Sequence, residues 1–186
     1  MSEPLQLHRD GPVARLRMTR AEVHNAFDAA LIAGLTAALD EVAADAGVRV
    51  LVLEAEGASF SAGADLNWMR RMAAASEAEN RTDSLALARL MRTLDELPKP
   101  TIAAVQGSAF GGGVGLVACC DIAIAARGAK FGLTESRLGL LPAVISPYVI
   151  AAIGARNARR YFATAELFDT EEALRIGLLH DVVNPT

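Results

Sequence analysis

The stretch of small and apolar residues over 102–126 limits this chain to two kinds of structure. It is nearly free of charge, and it is long enough to span a bilayer as one helix. It also contains Gln106, Asp121 and five glycines, three of which are consecutive. Few membrane helices hold a carboxylate together with a glycine triplet. The stretch therefore predicts a strand, a glycine turn, a buried helix and a second strand, and no membrane segment.

Other segments show the same alternation of strand and helix patterns. Residues 5–8 and 13–18 flank a Gly-Pro turn and predict a hairpin. Apolar residues at helical spacing follow Asp28, which suits a helix N-cap. Residues 48–53 form a continuous apolar run, typical of a strand that is covered on both faces. The alternation predicts an α/β fold, and the absence of repeats or a clear linker predicts one domain over residues 1–186.

Composition excludes several classes of function. Eighteen basic and 22 acidic residues give a net charge of -4, the opposite sign to that of most nucleic-acid-binding proteins. Cys119 and Cys120 are adjacent, so we expect free buried thiols in a reducing compartment. The first 20 residues lack the apolar block of a secretory signal, and no two histidines have metal-ligand spacing. We expect a cytoplasmic protein with neither a metal nor a nucleic-acid partner.

Two glycine-containing segments follow predicted strands. In residues 57–65, Gly63 lets backbone N–H groups face outward, and Asp65 suits the N-cap of the next helix. Residues 107–115 open a helix, whose N-terminus favours a developing negative charge. An ordinary tight loop explains the first segment equally simply, and close packing of helix on sheet explains the second.

A carboxylate follows a further predicted strand. Glu135 stands at the entry to a helix, where it could act as a general base or only interact with the helix dipole. A loose dinucleotide fingerprint at Gly113, Gly115 and Ala118 is the weaker signal. That fingerprint should follow a strand directly, and residues 106–112 intervene here.

Taken in this order, the segments resemble the crotonase (enoyl-CoA hydratase/isomerase) superfamily. The matching motifs are residues 20–26, 60–66, 100–107, 111–113, 120–125 and 131–135. The resemblance covers essentially the whole chain. It implies a spiral of repeated β-β-α units that assembles into homotrimers or hexamers. Residues 139–151 and 158–162 also resemble a bacterial branch of methylglutaconyl-CoA hydratases of leucine breakdown, or of hydratases acting on branched terpenoid acyl-CoAs.

The resemblance also implies a site for an acyl-CoA thioester. The backbone N–H groups of Ala64 and Gly112 would hold the thioester oxygen as it becomes an enolate, and Glu135 would be the acid/base. No cofactor is implied beyond the coenzyme A of the substrate. The residues expected to contact substrate or CoA are Glu22, Val23, His24, Ala26, Ala62, Asp65, Leu66, Gly111 and Gly115. Trp68, Met69 and Met72 follow the first loop and are either acyl-pocket or core residues.

The chain departs from the family pattern at two places. Typical hydratases have two glutamates, and the position of the first is Gly115 here. Members of the family also continue beyond the segment matching residues 180–183 with more helices. We therefore expect a core domain without the usual C-terminal helical extension.

The expected activity is that of a hydratase acting on a 2-enoyl-CoA, such as 3-methylglutaconyl-CoA or a related branched acyl-CoA. Two alternatives remain open. One is a 3-enoyl to 2-enoyl-CoA isomerase that uses Glu135 alone, and the other is a non-catalytic acyl-CoA-binding subunit.

Overall fold

A computed structural model describes residues 4–185, in which strands and helices alternate. The strands are β1 (Leu5–Asp10), β2 (Val13–Met18), β3 (Val50–Ala55), β4 (Ser59–Ser61), β5 (Thr101–Val105), β6 (Ser108–Phe110), β7 (Ile122–Ala126), β8 (Lys130–Gly132), β9 (Leu167–Asp169) and β10 (Asp181–Val183). The α-helices are α1 (Ala29–Ala44), α2 (Leu66–Ala73), α3 (Glu77–Asp95), α4 (Gly112–Cys119), α5 (Ser146–Thr164) and α6 (Thr170–Ile176). One-turn 3₁₀ helices lie at Ala21–Val23 and Glu135–Leu138.

The strands form two sheets whose orders define a spiral. The larger sheet has the order β1-β2-β3-β5-β7-β10, and the smaller has β4-β6-β8-β9. After each of β3, β5 and β7 the chain enters the smaller sheet at β4, β6 and β8, and then continues into helical structure. Strands β3, β5 and β7 pair in parallel, and so do β4, β6 and β8. The structure thus confirms the α/β fold and its repeated β-β-α units.

Several local predictions are confirmed. Strands β1 and β2 form the antiparallel hairpin, and the Asp28 carboxylate caps α1 by accepting from the Leu31 N–H at 2.8 Å. The uncharged stretch 102–126 forms β5, β6, α4 and β7. Within the described part of the chain, no helix combines the length and the apolar character needed to cross a membrane. Cys119 and Cys120 are free and buried, and burial raises the pKa of the Cys120 thiol to about 12.

Other predictions differ from the structure at short elements. Strands β4, β6, β8 and β9 have three residues each, too few for a strand period to show in the sequence. Pro147 lies in the first turn of α5, where its missing N–H is not needed. Gly154, with φ 77°, interrupts the helical geometry of α5.

The chain before α1 is held by one buried amide side chain. Asn25 has φ 51° and is fully buried, and its Nδ2 donates to the carbonyls of Glu56 and Ser59, both at 2.9 Å. Its Oδ1 accepts from the Arg20 N–H at 2.9 Å. This left-handed conformation keeps residue 25 outside α1, which begins at residue 29. Asn25 therefore ties this segment to the loop that joins β3 to β4.

Replacing Asn25 with alanine is expected to lower the free energy of unfolding by about 3 kcal/mol. The change removes three hydrogen bonds of the Asn25 side chain, to the carbonyls of Glu56 and Ser59 and from the Arg20 N–H, and it removes a side chain that tolerates left-handed backbone. Denaturant unfolding measures the loss, and Asn67→Ala on the exposed surface of α2 is the control. A loss below about 1 kcal/mol, no more than one ordinary hydrogen bond, would contradict this role of Asn25.

Candidate active site

Two glycines let the loops after β4 and β6 touch. Gly63 has φ 83° and Gly111 has φ 49°, both in the left-handed region. A Cβ atom on Gly63 would lie 2.9 Å from the Phe110 carbonyl oxygen and 3.7 Å from the Gly111 Cα. Any side chain at position 63 would therefore separate the loops. Their contact places the residues that follow each glycine, Ala64 and Gly112, at the same cavity.

The N–H of Ala64 points away from the neighbouring chain segment. The Phe27 N–H donates to the Gly63 carbonyl at 2.7 Å, and the Asp65 N–H donates to the Phe27 carbonyl at 2.8 Å. The N–H and C=O of a trans peptide group point in opposite directions. The Ala64 N–H belongs to the same peptide group as the Gly63 carbonyl, so it points away from Phe27. Among residues 4–185 it has no backbone acceptor.

The second N–H belongs to the first turn of α4. Gly112 is the first residue of that helix, so its N–H has no acceptor within the helix. A Cβ atom on Gly112 would lie 2.5 Å from the ring of Phe27, so glycine lets the helix end pack on that ring. The positive end of the α4 dipole adds to the field at this N–H. The residues that carry the two free amide donors thus line one cavity from different segments of the chain.

Glu135 supplies the titratable group. Its Oε1 lies close enough to the Gly111 backbone that a Cβ atom there would be 3.0 Å away. Its Oε2 is buried and has no hydrogen-bond partner among the described residues. Burial raises the pKa of this carboxyl above its usual value, although the Glu135 backbone N–H opposes the shift. A carboxylate held in this way is a stronger base than one in water.

The cavity beside these groups is apolar and has a volume of about 390 Å³. Trp68 and Met69 of α2 line it, whereas Met72 is not part of the lining, and Trp68 also packs against the hydrophobic core. Glu135 is the one charged residue in its lining, as described over residues 4–185. A further wall of the cavity comes from the end of the 3₁₀ helix at Glu135–Leu138 and from the start of the run 139–151 that carries the resemblance to the hydratase branch. That wall consists of Leu138, Leu140, Leu141, Pro142, Ala143, Val144 and Ile145.

The structure brings together only part of the predicted site. The predicted residues that line the cavity are Ala62, Ala64, Leu66, Gly111, Gly112 and Glu135. Asp65 instead caps α2, where its carboxylate accepts from the Asn67 and Trp68 N–H groups. The segment with Glu22, Val23, His24 and Ala26 lies outside the cavity. It is nevertheless adjacent, because the His24 carbonyl accepts from the Ala62 N–H at 2.9 Å.

Gly115 differs from the prediction, because it does not line the cavity. A Cβ atom there would lie 2.4 Å from the Ile145 Cγ2 and 3.3 Å from the Met91 Cε. Ile145 lines the cavity instead and is 2% exposed. The space in which a second carboxylate would stand is therefore filled by hydrocarbon.

The comparison with protein families agrees with this geometry. The family model described as enoyl-CoA hydratase/isomerase matches residues 8–185. The chain belongs to the enoyl-CoA hydratase/isomerase family. It is 34% identical to the crotonyl-CoA hydratase of Syntrophomonas wolfei over 185 residues, which are 98% of this chain and 70% of that protein.

Solved structures of the family have the same fold as this chain. An enoyl-CoA hydratase from Shewanella pealeana has a TM-score of 0.96 at 49% identity, over 97% of this chain and 68% of that one. Pseudomonas aeruginosa AtuE has a TM-score of 0.95 at 40% identity, over 98% of this chain and 70% of that one. The crotonase superfamily expected from the motifs is thus confirmed.

Gly115→Ala is expected to destabilise the protein by about 1–3 kcal/mol, because its methyl group would overlap Ile145. Adding Ile145→Ala removes the Cγ2 atom from that overlap. Denaturant unfolding of the wild type, both single variants and the double variant gives the coupling energy. The double variant should lose less stability than the sum of the two single losses. Additivity within about 0.5 kcal/mol would show that the two residues do not compete for space.

Glu135→Gln is expected to raise the melting temperature at neutral pH. The raised pKa means that the folded wild type binds more protons than the unfolded chain just above pH 4.5. Its stability therefore falls as pH rises from about the unfolded pKa through the folded one, and glutamine does not undergo this loss. The advantage of the variant should disappear in acid. Calorimetry over pH checks this, with exposed Glu96→Gln as the control, and equal melting temperatures at neutral pH would contradict it.

Proposed function

We propose that this chain adds water across the C2=C3 double bond of a 2-enoyl-CoA thioester. The observation that carries the proposal is that three groups without a hydrogen-bond partner among residues 4–185 belong to the lining of one apolar cavity. They are the N–H groups of Ala64 and Gly112 and the Oε2 atom of Glu135. The hydratase names of the relatives from Syntrophomonas wolfei and Shewanella pealeana support the same reaction.

The two amides act on the thioester oxygen. As water attacks C3, the electron pair of the double bond moves to that oxygen and forms an enolate. The donors of Ala64 and Gly112 are already fixed by backbone hydrogen bonds and helix geometry, so they need no reorganisation when the charge develops. In other enzymes, loss of one such donor costs about 3 kcal/mol of transition-state stabilisation.

Glu135 carries out both proton transfers. Its carboxylate accepts a proton from water as the oxygen bonds to C3, and its carboxylic acid then returns a proton to C2 as the enolate collapses. The product is the 3-hydroxyacyl-CoA, and Glu135 is again a carboxylate. Its raised pKa suits both steps, because the group is basic when ionised and is readily protonated.

The acyl group we propose is 3-methylglutaconyl or a related branched chain, which would place the reaction in leucine breakdown or a similar pathway. The support is the resemblance of residues 139–151 to that branch. Part of this run, from Leu140 to Ile145, forms the cavity wall described above. The substrate's own CoA is the only coenzyme that the proposal requires. We further propose that residues 1–186 are one crotonase-like core of a cytoplasmic homotrimer or hexamer.

One observation favours a second candidate, a 3-enoyl to 2-enoyl-CoA isomerase. Ile145 fills the space beside Gly115, which leaves Glu135 as the single charged residue in the described cavity lining. Moving a double bond requires a proton to leave C2 and return at C4. One carboxylate is sufficient for that transfer, and no water need be activated.

Absorbance of the conjugated enoyl thioester separates the two reactions. A hydratase removes the absorbance of 2-enoyl-CoA and gives a product heavier by one water, whereas an isomerase raises the absorbance of 3-enoyl-CoA. Glu135→Gln should lower kcat at least about 100-fold, the usual contribution of a general acid/base. Exposed Glu96→Gln should retain the wild-type rate. Full activity of Glu135→Gln would contradict both candidates, and wild-type protein that acts on neither substrate would overturn the proposal.

The pH profile provides a further test of Glu135. Because its pKa is raised, kcat/KM should fall toward acid with a midpoint above 4.5, as the base becomes protonated. Initial rates at several pH values measure this fall of kcat/KM in acid, and Glu96→Gln should leave its midpoint unchanged. A midpoint at the ordinary carboxyl pKa would show that the base is not buried Glu135.

A further inference from the structure

A second cleft lies next to the cavity and carries the opposite charge. It has a volume of about 330 Å³ and shares Ala62, Thr134 and Leu138 with the apolar cavity. Arg137 is the one charged residue in its lining as the structure describes it, and Phe110 and Leu167 complete that lining. An acyl-CoA held by the two amides therefore has a cationic cleft beside it.

The cleft lies at the edge of the smaller sheet where ligands commonly bind. Phe110 ends β6, Ala62 directly follows β4, and Thr134 comes shortly after β8. Leu167 begins β9, which is antiparallel to β8, so its first residue lies at the same edge. The carboxyl ends of parallel strands in α/β proteins are a general location for ligands.

Arg137 is oriented but has no anionic partner. Its Nη2 donates to the Ala165 carbonyl at 2.7 Å, which fixes the guanidinium near the C-terminal end of α5. Its Nε and Nη1 have no partner among residues 4–185. Arg160 and Arg175, by contrast, pair with Glu166 and Glu172. Arg137 therefore keeps two sets of N–H donors available for a ligand.

We infer that Arg137 binds an oxyanion of the acyl-CoA and so helps to select the substrate. The inference rests on the proposed function for its ligand class. A guanidinium suits such a group because it offers parallel N–H donors and remains charged at every relevant pH. The oxyanion is either a carboxylate at the end of the acyl chain or a phosphate of coenzyme A. Because the cleft and the apolar cavity share lining residues, an acyl-CoA bound beside Glu135 can extend to Arg137, and this contact would also orient the substrate toward the proposed acid/base.

Binding of saturated thioesters tests Arg137 without turnover. Calorimetry gives Kd for 3-methylglutaryl-CoA, isovaleryl-CoA and S-isovaleryl-pantetheine, the last of which has no phosphate. The proteins are wild type, Arg137→Gln, Arg137→Lys and the control Arg156→Gln, an exposed position on α5. Arg137→Gln should raise Kd about tenfold for the probes that carry the oxyanion bound by Arg137, the usual effect of losing a hydrogen bond to a charged group. Arg137→Lys should recover part of that loss, and Arg156→Gln should bind as wild type does.

The pattern of losses identifies the oxyanion. Weaker binding of 3-methylglutaryl-CoA alone supports a carboxylate, whereas weaker binding of both CoA esters but not of the pantetheine ester supports a phosphate. An unchanged Kd, or an equal loss for all three probes, overturns the inference. So does failure of the wild type to bind any of them. If wild type turns over no enoyl-CoA yet shows one of the selective patterns, the proposed function fails and the role of Arg137 stands.

Discussion

The candidate site depends on the contact between the backbones of Gly63 and Gly111. Each loop supplies only one of the two amide donors, because Ala64 follows β4 and Gly112 begins α4. The two donors face one cavity only because no side chain keeps the loops apart. The spiral fold brings the two loops close to each other, since successive turns place β4 and β6 side by side in the smaller sheet. Ordering three consecutive glycines is entropically unfavourable, but a Cβ atom at any of the three positions would lie within 3.0 Å of a neighbouring residue.

The same contact shapes the surroundings of Glu135, the proposed acid/base. Gly111 leaves room for the Glu135 carboxylate, and hydrocarbon side chains from residues 138–145 line the same cavity. Burial opposes the charge of this carboxylate, which raises its pKa and lowers the stability of the fold above that pKa. A strongly perturbed carboxyl in a cavity is typical of an active site. Ile145 contributes to this environment and also excludes a side chain at position 115.

The sequence predicted long elements and motif positions better than it predicted the spatial neighbours of the site. The apolar runs of β3, β5 and β7 and the cap of α1 each have a local signal, and all were found where expected. The smaller sheet has strands of three residues, so its register depends on tertiary contacts that no short pattern encodes. The loop 138–145 has no period at all, and its place in the site follows from the turn of the spiral. The sequence showed that Gly115 stands where typical hydratases have a glutamate. It did not show that the Ile145 side chain fills the space beside Gly115.

Phe27 links the two amide donors mechanically. Its backbone pairs with Gly63 and Asp65 on either side of Ala64, and its ring packs against Gly112 at the start of α4. A single buried residue thus sets the position of both donors. Because Phe27 contacts both donor segments, any change in the core packing around Phe27 would act on both N–H groups at once.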